Sequence, residues 1–361
     1  MDSLIIKGKN NYLKLKKYLD SKKIKSLFLV VYDYQEEPYL VKYLKENYKV
    51  TIFRDFTPNP KYDEVLKGIE EFKKSKSKVI IAIGGGSCMD VAKCIKAYST
   101  LDDKKNYLEQ EIKKNNINLI VCPTTAGTGS EQTRFSVIYY KGVKQSITSD
   151  YLIPNVVFFD YSFLDTLPIY QKKSTMLDTF SHSIESYWSV NRTSESIKYS
   201  KKAIKLLIDN MDRYLEGDKE TYDKMFLASF YAGCAINISK TTAGHAMAYK
   251  LTSLYNISHG HATMLVNSIL LPYMIDNTDN KELIMVFKNL TKVLRLINLD
   301  ELKVYFKDLL RKLDLLNVKV NDKDLDNLIN NVNLDRLKNN PFKLEKDDIK
   351  KIYLELFKEL E

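Results

Sequence analysis

The chain predicts an α/β N-terminal domain with a mostly parallel sheet, over 1–160, followed by an all-α C-terminal domain, over 161–361. Three observations predict this. Short apolar runs alternate with helix-patterned stretches up to about residue 160, as a parallel sheet wrapped in helices requires. Beyond it the strand signals fade and long 3.6-residue periodicities take over. All four histidines, His182, His245, His259 and His261, then fall within the helical part. At 361 residues the chain is long enough for two cores.

The elements follow in order. Residues 26–32, SLFLVVY, are an apolar run of the kind buried in parallel sheets, ending at Asp33. FRDFTPNP, with two prolines and Asn59, is a loop, and a helix pattern runs from Tyr62 to Lys74. Val79 to Ile83 is a second buried strand. Gly84, Gly85 and Gly86 make a tight turn, and Ser87 is placed to cap the helix that follows. Strand, glycine turn and helix start together form an anion site: the bare amides face a phosphate, and glycine allows close approach. The pattern is neither GxGxxG nor a P-loop.

Asn118 to Cys122 is a third strand, running into PTTAGTGSEQT, where Thr124, Thr125 and Thr128 offer hydroxyls to a dinucleotide. Phe135 to Tyr140 and Lys144 to Ser149 read as a hairpin around Lys141-Gly142, and Val156 to Phe159 as another strand. The clearest later helices are Asp178–Ser189, Ser194–Leu215, Tyr222–Ile238, Lys281–Ile297, Leu302–Leu313 and Asp347–Leu360. Their metal-binding face is expected to look across a domain cleft at the glycine turn.

Composition narrows the function classes. No apolar run is long enough for a bilayer span, and MDSLIIKGKNNYLK lacks a signal peptide's apolar core, so a cytoplasmic protein without a membrane role is expected. Cys88, Cys94, Cys122 and Cys234 show no CxxC pairing and read as reduced thiols. The net charge is +10, but the lysines are mixed with acids along helix patterns, which argues against nucleic acid and fits attraction of a small anion.

Asp178 and His182 are four apart, so on a helix they share one face. His245 lies in TTAGHAMAY, and His259 follows after an apolar, aromatic run and a turn. One carboxylate and three imidazoles suit a divalent transition metal, iron or zinc, whereas calcium or magnesium would want more oxygen. A substrate oxygen in a further coordination position would be polarised by the metal.

Four pieces, GGGSCMDVAK, PTTAGTGSEQT, LDTFSHSIES and GHAMAYKLTSLYNISHGHA, together with the closing NNPFKLEKDDIKKIY, resemble the iron-containing (group III) alcohol dehydrogenase family over nearly the whole chain. The resemblance implies a dehydroquinate synthase-like architecture, with an α/β N-terminal dinucleotide-binding domain and an all-α C-terminal metal-binding domain, and a metal-dependent, NAD(P)H-linked alcohol dehydrogenase or aldehyde reductase. It makes Asp178, His182, His245 and His259 the metal ligands and catalytic centre. Gly85, Gly86 and Ser87 would hold the pyrophosphate, with Asp90, Thr124, Thr125, Thr128 and Lys144 lining the cofactor and Asn59 near the adenine. Asp33, at a strand end, would bond a ribose hydroxyl and repel an extra phosphate, favouring NAD over NADP. His261 falls where members vary and is assigned to a second shell or the substrate pocket. Tyr249 stands where many members carry a further histidine, so no histidine relay is carried over; solvent or a ribose-linked relay is left as the proton source. Homodimers through the N-terminal edge are frequent in the family.

Within the family, ESYWSVNRTSES, SKTTAGHAMAYKLTSLY, SHGHA and RLKNNPFKL are similar to the phosphonoacetaldehyde reductase branch, which implies reduction of phosphonoacetaldehyde to 2-hydroxyethylphosphonate. Lys250 stands where many members carry proline and is a candidate partner for a phosphonate, with Arg134, Lys240 and Arg192 as further cations. The rival readings are a general alcohol or 1,3-diol dehydrogenase, a dehydroquinate synthase-type lyase, and a non-enzymatic metal- or anion-binding protein.

Overall fold

Apolar β-branched runs account for the strands of a computed structural model that describes residues 3–8, 11–34, 36–332 and 334–360. Its strands are β1 (Leu4–Ile6), β2 (Ser26–Val31), β3 (Lys49–Phe53), β4 (Val79–Gly84), β5 (Asn118–Pro123), β6 (Phe135–Tyr140), β7 (Val143–Thr148) and β8 (Val156–Phe158). Six form a parallel sheet in the order β1-β8-β5-β4-β2-β3, and β6 and β7 form a separate antiparallel hairpin. Every residue of β4 is buried, as expected of a central parallel strand covered on both faces. β1 and β3 escape the sequence reading. β1 is a three-residue edge, and β3, KVTIF, mixes Lys and Thr into a partly exposed edge strand.

Helices α1 (Asn11–Ser21), α2 (Tyr39–Asn47), α3 (Tyr62–Ser75) and α4 (Gly86–Tyr98) connect these strands. The strand order reverses between β2 and β4, because the chain goes from β2 outward to β3 and then returns to the other side of β2. In open α/β sheets the crevice at the carboxyl ends of such a pair is where ligands bind. Here those ends carry Asp33, beyond β2, and the glycine turn after β4.

The chain divides into two compact units, Met1–Thr166 and Leu167–Glu361. The second contains α5 (Ile169–Trp188), α6 (Ser194–Leu215), α7 (Tyr222–Ser239), α8 (Ala243–Tyr255), α9 (His259–Asn277), α10 (Lys281–Val293), α11 (Leu299–Lys312), α12 (Leu325–Asn330), α13 (Leu334–Leu337) and α14 (Lys346–Leu360). α5 begins well before Asp178, behind the N-cap Pro168, because its polar first turns QKKST carry no apolar stripe to announce them. Asn256, in the left-handed region at φ 52°, ends α8 and turns the chain into α9. Among the described residues no helix is long and apolar enough to cross a membrane.

Phe28 is fully buried in the α/β unit, with ring centroids 6.3 Å from Phe53 and 5.3 Å from Phe72. Phe28→Ala should cost about 3–5 kcal/mol, read as a lower urea midpoint by far-ultraviolet circular dichroism.

Candidate metal centre and nucleotide turn

Three helices deliver the metal-ligand candidates. Asp178 and His182 lie one turn apart on α5, His245 is on α8, and His259 opens α9. Ligand atoms of Asp178, His245 and His259 lie within 4.8 Å of one another. His245 Nε2 is 3.6 Å and His182 Nε2 3.8 Å from Asp178 Oδ1. The His182 and His245 rings stack with centroids 4.7 Å apart, and His259 stands edge-on to His245 at 5.2 Å. Atoms bound at about 2.1 Å to one tetrahedral ion sit about 3.4 Å apart, close to these separations.

Two atoms of this group test the fit of a cation. Asp178 Oδ1 and His245 Nε2 are buried and have no hydrogen-bond partner. Buried polar atoms left so are costly, and a bound cation would satisfy both. The donor set of one oxygen and three nitrogens fits iron or zinc. Burial pushes the Asp178 carboxyl up, but His182, His245 and His259 reverse this and hold it well below the usual carboxylate range. It is therefore ionised, as a ligand must be.

The residue holding this arrangement was not singled out by sequence. Glu185, fully buried, meets His245 Nδ1 through Oε1 at 2.6 Å. It also accepts from Thr242 N at 2.6 Å, Thr242 Oγ1 at 2.8 Å and Asn267 Nδ2 at 3.0 Å. Burial alone would raise the Glu185 carboxyl, yet His245, Asn267 and the Thr242 amide bring it down to about 2. A proton kept on Nδ1 by a carboxylate leaves Nε2 bare toward the metal position. The available signal was spacing, since Asp178, His182 and Glu185 fall at i, i+4 and i+7 on one face of α5.

Two glycines let the helices come this close. A Cβ on Gly260 would lie 2.1 Å from Ser174 O and 2.6 Å from Asp178 Cβ, pushing α9 off α5. One on Gly244 would lie 2.0 Å from Asn267 Oδ1 and 2.6 Å from Glu185 Oε1.

In the α/β unit, β4 runs through the glycine turn into α4. The structure corrects the cap: Gly85 is the N-cap, with no side-chain cap bond, and Ser87 lies inside the first turn. Ser87 Oγ instead faces the Asn59 amide at 3.4 Å, which brings Asn59, itself at φ 59°, beside the turn. Thr125 Oγ1, 3.7 Å from where a Gly85 Cβ would stand, is buried without a hydrogen-bond partner. An uncapped helix start beside an unsatisfied hydroxyl fits the phosphate-bearing part of a dinucleotide, held by Gly85, Gly86, Ser87 and Thr125. Thr128 abuts the turn, 3.2 Å from a Cβ placed on Gly86, and Thr124 N bonds Gly84 O at 3.2 Å. Asp33 is exposed just beyond β2.

Asp90 belongs to the support of this turn. Asp90 accepts from Ser130 Oγ and Val137 N, each at 3.1 Å. Burial lifts its carboxyl to about 6, against the pull of Lys93, Val137, Ser130 and Lys144. Lys93, unmentioned by sequence reasoning, is fully buried on α4. Its ammonium reaches the carbonyls of Ser130, Thr133 and Phe135 at 2.7–2.9 Å and the hydroxyls of Ser130 and Thr133. It pins the threonine loop to the helix that starts at the glycine turn.

The substrate candidates scatter. His261 is corrected from the substrate pocket: its Nε2 lies 2.7 Å from Leu315 O and its Nδ1 3.2 Å from Tyr170 Oη, so the buried ring ties α9 to its neighbours. Arg134 is corrected likewise, its guanidinium pairing with Asp150 at 2.9 Å beside the hairpin. Arg192 pairs with Glu282 at 2.5 Å, and Lys240 is an exposed cap of α7. Lys250 is half-buried on α8, and among the described residues no carboxylate pairs with its ammonium.

Glu185→Gln should weaken metal binding about 10–100-fold with all four ligands in place, measured by competition with a chelator. Lys93→Met should raise the NADH dissociation constant at least about tenfold by loosening the threonine loop, measured by fluorescence titration.

The model of "Iron-containing alcohol dehydrogenase" matches residues 3–161, and that of "Fe-containing alcohol dehydrogenase family, C-terminal" matches residues 172–357. A long-chain-alcohol dehydrogenase of Geobacillus thermodenitrificans is 30% identical over 238 residues, which is 64% of this chain. The match spans 59% of that relative's length. The structure of an iron-containing alcohol dehydrogenase from Thermococcus thioreducens superposes with a TM-score of 0.89 at 20% identity, covering 99% of this chain and 98% of that one, and shows a shared fold. A sulfoacetaldehyde reductase from Bifidobacterium kashiwanohense, solved in complex with NAD+, gives a TM-score of 0.86 at 25% identity, covering 98% of this chain and 97% of that one. With both halves matched by its models, the chain belongs to the iron-containing alcohol dehydrogenase family.

Proposed function

We propose that this protein is a metal-dependent, NAD(P)H-linked aldehyde reductase working reversibly as an alcohol dehydrogenase, and that its preferred reaction reduces phosphonoacetaldehyde to 2-hydroxyethylphosphonate. The observation that carries the reaction class is the pair of buried, unsatisfied atoms, Asp178 Oδ1 and His245 Nε2, pointing at one position. When bound, a divalent cation supplies Lewis-acid polarisation of a carbonyl oxygen, and the dinucleotide supplies the hydride. The chain's own work is positioning. Glu185 holds the His245 proton on Nδ1, and the ionised Asp178 balances the cation's charge. The glycine turn binds pyrophosphate, and exposed Asp33 at the β2 end favours an unphosphorylated ribose and hence NAD.

Two observations support an anionic substrate. The sulfoacetaldehyde reductase likeness extends over nearly the full chain, and its substrate is a two-carbon aldehyde ending in a tetrahedral anion. Lys250 adds a cation, uncompensated by any carboxylate among the described residues, on the helix that carries His245. The second reading is a general alcohol dehydrogenase, favoured by the relative acting on long-chain alcohols.

Chelation should abolish aldehyde-dependent NADH consumption, and Fe²⁺ or Zn²⁺ should restore it. In a panel, phosphonoacetaldehyde should exceed butyraldehyde in kcat/KM by about 30-fold or more, the worth of one or two charge-assisted hydrogen bonds. Equal turnover of the two would leave the general alcohol dehydrogenase.

A further inference from the structure

Beside the candidate metal ligands lies a cation, Arg336, in the stretch RLKNNPFKL. The Tyr249 ring stacks on the His259 ring, centroids 5.3 Å apart and 1° from parallel. The Arg336 guanidinium carbon lies 5.2 Å from the centre of the same tyrosine ring. One aromatic ring thus meets both the arginine and a candidate metal ligand. Arg336 NH1 donates to Thr241 Oγ1 at 2.5 Å, and Asn339 Nδ2 to Thr241 O at 3.2 Å.

The segment that receives these bonds is strained. Lys240 sits at φ 60°, ψ 173°, a region that in practice only glycine enters. The surrounding bonds hold it: Ser239 Oγ bonds Ser186 Oγ at 2.8 Å, and Ser189 Oγ bonds Ser239 O at 2.9 Å. The resulting bend aims consecutive threonines at two different partners. Thr241 takes Arg336, and Thr242 takes Glu185, the carboxylate behind His245. A guanidinium and a metal ligand's partner are thereby held by one two-residue segment.

Resting on the aldehyde-reductase reading, we infer that Arg336 recognises the oxyanion tail, phosphonate or sulfonate, of a short aldehyde, with the flat face of Tyr249 spacing that tail from the metal ligands. A two-carbon substrate is too short to be read by a remote cation, and a guanidinium presents a planar fork matched to tetrahedral oxyanions. Stacking on tyrosine fixes the plane of the fork before substrate arrives.

The test uses the metal- and NAD-loaded protein with phosphonoacetaldehyde, sulfoacetaldehyde and propanal. Arg336→Ala should lower kcat/KM for both anionic aldehydes at least about 30-fold more than for propanal, chiefly through KM. Arg336→Lys should fall between, and the better anionic substrate of the wild type identifies the tail. By calorimetry, methylphosphonate should bind the wild type and not Arg336→Ala. An equal loss on all three aldehydes, with unchanged methylphosphonate binding, would overturn the inference and leave Arg336 a clamp for Thr241. If Arg336→Ala does not fold, Arg336→Lys decides on the same ratio. If the wild type shows no preference for the anionic aldehydes, the phosphonate reading of the function fails instead. Calorimetry alone then judges Arg336: lost methylphosphonate binding in the variant upholds the anion site, and equal binding removes it.

Discussion

A fully buried carboxylate, Glu185, is the constraint on which the helical unit depends. Nothing in a protein interior tolerates an ionised carboxylate without donors, and Glu185 is surrounded by them: the His245 ring, the Thr242 amide and hydroxyl, and the Asn267 amide. These donors come from α8, from its N-cap and from α9, while the carboxylate is on α5. Satisfying one charge therefore brings together the three helices that carry the candidate metal ligands. The ligand geometry follows from the same requirement, because the histidine that bonds Glu185 through Nδ1 must present Nε2 to the opposite side.

Such close convergence has a steric condition. Helices that share ligands must approach more closely than ordinary side chains allow, and Gly244 and Gly260 remove the Cβ atoms that would intervene. Conformational energy is spent in the same place, at Lys240, whose backbone holds a glycine-like conformation so that two successive threonines can serve different partners. Unsatisfied polar atoms occur at Asp178 and His245, and again at Thr125 in the other unit beside the glycine turn. At these three positions a cation or a phosphate would offer the complementary charge or hydrogen bond that the protein does not.

The nucleotide turn was more legible than its support. A run of apolar residues followed by three glycines and a helix pattern announces itself locally, because strand, turn and helix signals all lie within some twenty residues. The helix cap was misread at Ser87, since serine is a favoured N-cap and only the backbone shows that Gly85 holds that position. Lys93 was invisible for a different reason: in a lysine-rich chain, one buried ammonium looks like its exposed neighbours until the carbonyls of a loop some forty residues away are found around it.

The histidine clustering, the Asp178–His182 spacing, the glycine turn and the change from alternating to helical periodicity are properties of composition and short-range order, and the sequence by itself determined them. It also limited the metal, since donor chemistry resides in residue type. The tertiary structure alone decided which histidine was a packing residue, which cations were already paired and which carboxylate lay behind the ligands. His261 sits two residues from His259, yet a helix turns neighbouring side chains to different faces, so one ring joins the ligand group and the other meets the Leu315 carbonyl. Arg336 and Tyr249 are far apart in the chain and become neighbours only when α13 packs against α8, a contact that no local pattern encodes.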